Sequence, residues 1–242
     1  MLKDTDHSHK PEAIAARLDA GPKPSFVREW IYGAIDGVVT TFAIVAGVVG
    51  ANLSPVIVVI LAIANLVGDG FSMAASAYSA ARTDEDNLER LTKTEQGHIR
   101  KNPEGEREEI RQIYARKGFE GEALEMVVDT ITKNEDVWVE TMLHEEYGVS
   151  VERKSPLAVG FHTFFGFVVC GSVPLLPYLL GLPYAFVLAC VFSALTFIVI
   201  GSIKSIWAPH PWWRDGLETL LIGMSAAGLA YGIGYGLKQF GL

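Results

Sequence analysis

The sequence predicts an all-α, polytopic membrane protein with five transmembrane helices and a charged helical insert between the second and third. Three observations carry that prediction. Half of the 242 residues are hydrophobic and only a fifth are charged, a balance that suits a membrane protein bearing one polar domain. Five apolar stretches are long enough to cross a ~30 Å hydrocarbon core at about 1.5 Å per residue. The charge is concentrated, because residues 82–154 hold 19 of the 28 acidic and 12 of the 20 basic residues. The expected order is an N-terminal tail at 1–29, two spans within 30–81, the insert at 82–154 and three spans within 155–242.

Residues 1–25 are polar and proline-rich, without the apolar core of a signal peptide. They read as a disordered tail, and His7 and His9 as tail residues rather than metal ligands. Phe26–Trp30 reads as interfacial, with Trp30 as an anchor. The first span is expected at about Ile31–Ala51. Asp36, Thr40, Ala43, Gly47 and Gly50 share one of its faces, and small residues let helices approach closely in lipid. Asn52–Pro55 is a short turn, and the second span follows at about Val56–Ala80. The third, about Leu157–Leu180, is broken by Gly171, Pro174 and Pro177. The fourth runs from about Pro183 to Ile206. The fifth, about Gly216–Leu237, carries Gly228, Gly232 and Gly236 as a helix-packing stripe. Cys170 and Cys190 lie in apolar runs and read as packing residues, not as a disulfide or metal pair.

The insert shows a helical pattern and no strand signal. Its first helix continues the second span to about Arg100. Asn102-Pro103 reads as cap and first residue of a helix ending near Gly118. Another runs from about Glu120 to Lys133, and Asn134 caps a last one that stops at Gly148. Lys and Arg cluster in the N-terminal tail, the insert and the Lys204–Arg214 loop. The positive-inside rule therefore places the N-terminus and residues 82–154 in the cytoplasm and the C-terminus outside. The acidic insert argues for cations, and against nucleic acid, as partners.

Polar residues inside the spans carry the chemistry. At 100° per residue, Asn65, Asp69, Ser72, Met73, Ser76 and Ser79 fall within about a third of the helix circumference. Lipid does not tolerate such a face, so it should line protein or a water-filled path. Asp36 is the sharpest single residue. A mid-membrane carboxylate costs roughly 2.5–3.5 kcal/mol on insertion scales and usually marks an ion or proton path. A group that exchanges a proton for a metal ion is what an antiporter needs. Asp69, flanked by Gly68 and Gly70, fits either a second path carboxylate or a helix irregularity. Met73 adds a soft donor that favours first-row transition metals over magnesium or calcium. The expected path is Asp36, Thr40, Asn65, Asp69 and Met73.

In the insert, Glu95/His98, Glu106/Glu109 and Met142/Glu146 are pairs at helical spacing that three helices could bring together around metal. A solvated acidic face is the usual explanation of such a run of glutamates.

Taken together, these parts resemble the vacuolar iron transporter family. The matching pieces are Asp36-Gly37 in the first span, DGFSMAAS at Asp69–Ser76 in the second, and PEGEREEI at Pro103–Ile110. ETMLHEEYG at Glu140–Gly148 and Pro174-x-x-Pro177 complete the set. The resemblance covers nearly everything from Trp30 onward. It implies a homodimer with five spans per chain that exports iron(II), and often manganese(II), from the cytosol in exchange for protons. It also implies Asp36 and Met73 as membrane ligands, and Glu95, Glu106, Glu109, Met142 and Glu146 as cytoplasmic ones. The sequence departs from the family where many members have glutamate at Asn65 and His98, and a second methionine at Leu143. His98 can still ligate a transition metal, whereas Asn65 cannot carry a proton.

The alternatives are a membrane-anchored di-iron oxidase and a metal sensor without transport. Glu95-x-x-His98 is the helical motif of a di-iron site, but the second copy that such a site needs is missing. A sensor would not need Asp36. The expectation is thus a transporter rather than an enzyme, with no permanently bound cofactor. Its cargo would be Fe2+ or Mn2+, with Co2+ and Zn2+ compatible with the same donors. Short length, few loops and no targeting segment point to a bacterial inner membrane.

Overall fold

The computed structural model describes residues 8–21, 24–150, 154–207, 209 and 211–240. Every regular element among the described residues is helical. Five stretches are long and apolar enough to cross a membrane: α2 (Val27–Gly50), α3 (Pro55–Lys101), the broken segment Pro156–Leu179, α9 (Ala185–Lys204) and α10 (Trp212–Gln239). The broken segment comprises α7 (Pro156–Gly171), a 3-10 turn at Val173–Leu175 and α8 (Leu176–Leu179). The chain divides into two compact units, one formed by residues 1–79 with 155–242 and the other by Ala80–Lys154.

In the first unit α2 is the central helix, packed against α7, α9 and α10. Glycine makes this possible. A Cβ at Gly33 would overlap the Thr163 carbonyl oxygen, and one at Gly37 the Phe167 carbonyl oxygen. Gly50 and Gly234 stand in the same relation to Tyr231 and Gly47 across the α2–α10 contact. Without a hydrophobic force between helices in lipid, such backbone approach supplies the van der Waals contact that joins them. Phe42, Phe167 and Phe197 fill the core between these helices. Pro174 and Pro177 each lack an N–H and crowd the preceding turn, so the third span breaks where the sequence places them.

Three expectations need correction here. The first concerns the N-terminal tail, where Pro11–Ala20 form a helix, α1, with no buried residue. Pro11 presets the first turn, alanine-rich sequence propagates it and Gly21 ends it at φ 62°. His9 is exposed, and His7 lies outside the described residues. The second concerns the helix of the first span, which already begins at Val27, ahead of Ile31. The Phe26 ring stacks on His162 at 4.4 Å between centroids, tying this end of α2 to α7. The third is the α10 stripe. Nothing lies within 4 Å of a Cβ built on Gly228, Gly232 or Gly236. The packed line is instead Gly216, Gly223, Ala227 and Gly234. At about 100° per residue, Gly228, Gly232 and Gly236 lie roughly 120–200° around the helix from Gly234, on the side turned away from the contact line.

The second unit is built from the later part of α3, α4 (Pro103–Arg116), α5 (Gly121–Thr132) and α6 (Glu135–Glu145). Asn102 and Asn134 cap α4 and α6, accepting bonds from the Gly105 N–H and from the Asp136 and Val137 N–H groups. Leu88, Leu91, Ile99, Ile110, Val128, Ile131, Trp138 and Leu143 form the apolar core. Arg111 pairs with Glu125 and Arg107 with Asp129 on the surface, where screening by solvent leaves such pairs little weight.

Candidate functional site

The core-facing stripe of α3 in the insert reads Leu88, Leu91, residue 95, Ile99, and at residue 95 it carries glutamate. Glu95 is fully buried, where helical periodicity calls for an apolar side chain. Glu106 likewise precedes the buried Ile110 by one turn on α4 and is itself buried. His98, one turn beyond Glu95, closes the group. Its Nδ1 lies 3.4 Å from Glu95 Oε1 and 3.6 Å from Glu106 Oε1. One donor atom from each of the three lies within 4.8 Å of the others, a spacing that can hold a metal ion. The remaining oxygens, Oε2 of Glu95 and Oε2 of Glu106, are buried with no hydrogen-bond partner. An unpaired buried carboxylate costs several kcal/mol, and a cation among these oxygens would remove that cost.

The electrostatics agree with the geometry. Burial first, then the charges of Glu109 and Glu95, push Glu106 up to about 7, partly offset by His98. Burial, followed by Glu109 and Glu95, also raises Glu146. Glu109 and Glu146 are exposed, so they supply charge at the rim of the cluster rather than buried donors. Met142 is fully buried within the apolar core of the insert. One partner was not evident from the sequence. The Tyr147 hydroxyl donates to Glu95 Oε1 at 2.9 Å, from a residue 52 positions further along.

In the membrane unit, Asn65 Nδ2 donates to Thr40 Oγ1 at 3.1 Å, and Thr40 Oγ1 donates to the Asp36 carbonyl at 2.9 Å. Asp36 and Asp69 are close enough for their charges to interact. Asp36, Asn65, Asp69 and Met73 are all half-buried. Ser72 and Ser76, expected on the same face, are exposed at the surface of the single chain. Sequence reading passed over Asp215 in the first turn of α10. Its backbone carbonyl lies beside Gly201 of α9, and the residue is buried with Oδ2 lacking a hydrogen-bond partner.

Five apolar spans and a compact carboxylate-rich unit inserted after the second define the class: a multi-pass membrane protein. The model of the VIT family matches residues 27–235, and the chain belongs to that family, one of transporters rather than enzymes. It is 32% identical over 211 residues to vacuolar iron transporter 1 of Eucalyptus grandis, covering 86% of this chain and 84% of the relative. It is 34% identical over 209 residues to vacuolar iron transporter 1 of Arabidopsis thaliana, covering 85% and 83%. The vacuolar iron transporter of Toxoplasma gondii is 31% identical over 221 residues, 86% of this chain and 73% of that one. These relatives are eukaryotic and named vacuolar, so they lend no support to a bacterial inner membrane.

Proposed function

We propose that the protein moves iron(II), and manganese(II) with it, out of the cytosol in exchange for protons, working as a homodimer. The observation that carries the proposal is the Glu95–His98–Glu106 cluster with its two buried, unpartnered carboxylate oxygens, in a chain whose relatives are named iron transporters. The insert, cytoplasmic by the distribution of basic residues, captures the ion. Mixed nitrogen and oxygen donors suit a first-row divalent transition metal. The ion then enters a path lined by Asp36, Thr40, Asn65, Asp69 and Met73.

Asp36 is the residue that exchanges a proton for the metal, since Asn65 has no proton to give. Asp69 shares its field, and Met73 supplies the soft donor. A second copy of the chain covers the exposed hydroxyls of Ser72 and Ser76, which lipid would disfavour.

The test is metal uptake by proteoliposomes, with internal pH followed at the same time. Iron(II) and manganese(II) uptake accompanied by proton counterflow, and abolished by Asp36→Asn, is the expected result. Uptake unaffected by Asp36→Asn, or metal binding with no flux in either protein, would defeat the proposal.

A further inference from the structure

Among the residues around the acidic cluster, Tyr147 touches a candidate ligand directly and has no place in the ligand set read from the sequence. It lies just beyond α6, in a turn whose geometry is fixed on both sides. The Glu146 N–H bonds back to the Met142 carbonyl at 2.9 Å, and the Val149 N–H to the Leu143 carbonyl at 3.0 Å. Gly148 between them takes φ 65°, a left-handed conformation that glycine adopts without the penalty a Cβ brings. The turn therefore sets where the phenol can reach, and it reaches Glu95 Oε1 at 2.9 Å.

The two oxygens of Glu95 consequently differ. Oε1 accepts from Tyr147 and faces His98 Nδ1 at 3.4 Å, while Oε2 is buried with no partner. The terminal torsion of a glutamate is broad and roughly two-fold, so nothing intrinsic to Glu95 fixes which oxygen is free. We propose that Tyr147 is a positioning residue for metal capture, engaging Glu95 Oε1 and thereby leaving Oε2 available to a cation. The proposal rests on the reading of the cluster as a metal site. The phenol O–H is a hydrogen-bond donor that carries no charge. A neutral donor serves this purpose better than a lysine or arginine would. It orients the carboxylate without adding a positive charge that repels the incoming ion. Removing such a supporting hydrogen bond typically weakens metal affinity by about 10–100-fold.

The experiment measures manganese(II) binding to the full-length protein in detergent from the loss of the free-ion EPR signal. Wild type, Tyr147→Phe, Glu95→Gln and the double variant are compared, with melting temperatures recorded alongside. Tyr147→Phe should bind roughly ten-fold more weakly than wild type and melt at a similar temperature. In the Glu95→Gln background the same change should add little, because the oxygen it positions is no longer a carboxylate. Gly148→Ala, which strains the turn, should reproduce the weakening with the phenol still present. Unchanged binding by Tyr147→Phe, or an equal loss in both backgrounds, would overturn the positioning role while leaving the metal site intact. Absence of manganese binding in the wild type would overturn the metal site and this proposal together.

Discussion

Thr40 stands between Asn65 and Asp36, accepting a hydrogen bond from the Asn65 side chain on α3 and donating one to the Asp36 carbonyl on α2. The link joins the first two spans one turn from the carboxylate proposed to exchange its proton for metal. Thr40→Val keeps the side-chain shape and leaves the Asn65 amide without its acceptor. Interhelical bonds in membranes average about 0.6 kcal/mol, with a maximum near 1.7. A melting temperature lowered by a few degrees and transport reduced but retained are the expected results. Asp36→Asn, assayed beside it, should lose transport at nearly unchanged stability.

Gly37 of α2 and Gly228 of α10 make opposite predictions. A Cβ at Gly37 would meet the backbone of Phe167, which cannot move aside as a side chain would. Gly37→Ala should push α2 from α7 and sharply lower the yield of folded protein in detergent. Gly228→Ala meets nothing within 4 Å and should leave the chain as stable as wild type. Fluorescence-detected size-exclusion after graded heating distinguishes the two. A Gly37→Ala protein as heat-resistant as Gly228→Ala would contradict the packing described.

The spans were legible because each depends on local composition, and the caps at Asn102 and Asn134 because a capping side chain bonds within its own turn. Tertiary contact was harder to read. Gly228, Gly232 and Gly236 form the more regular repeat, yet Gly216, Gly223, Ala227 and Gly234 make the contact, a choice set by the neighbouring helices. Glu95 illustrates the same limit within the site. Its place between Leu91 and Ile99 marks it as core-facing from sequence alone, which argues against a solvated acidic face. Nothing local connects it to Tyr147, 52 residues away. Met142, paired with Glu146 by spacing, is fully buried in the fold, a setting that suits a thioether donor as well as a packing side chain.

The raised Glu106 makes the metal-free insert respond to pH in an unusual direction. Its carboxyl moves from 4.5 to about 7 on folding, so between those values the folded state holds more protons than the unfolded one. Stability therefore falls as pH rises across that window. Metal-free protein should melt higher at pH 5 than at pH 7, and Glu106→Gln should flatten the difference. Manganese(II) should reverse the trend, because it competes with the proton for the same carboxylate. Melting curves at pH 5, 6 and 7, with manganese(II) and with chelator, test all three statements.

His98 should decide which ions the cluster prefers. With Glu95 and Glu106 it presents one nitrogen and two carboxylates within 4.8 Å. Imidazole favours first-row transition metals, whereas an all-oxygen set also suits calcium and magnesium. His98→Glu makes a third carboxylate beside Glu95 and Glu106, in an already acidic neighbourhood that includes Glu109 and Glu146. The variant should gain affinity for calcium and lose part of its preference for zinc(II) and cobalt(II). His98→Ala should weaken transition-metal binding without that gain. Competition of each ion against manganese(II), read from the free-ion EPR signal, gives the order directly. If His98→Glu displaced manganese with calcium no more readily than wild type does, the nitrogen donor would have no part in selectivity.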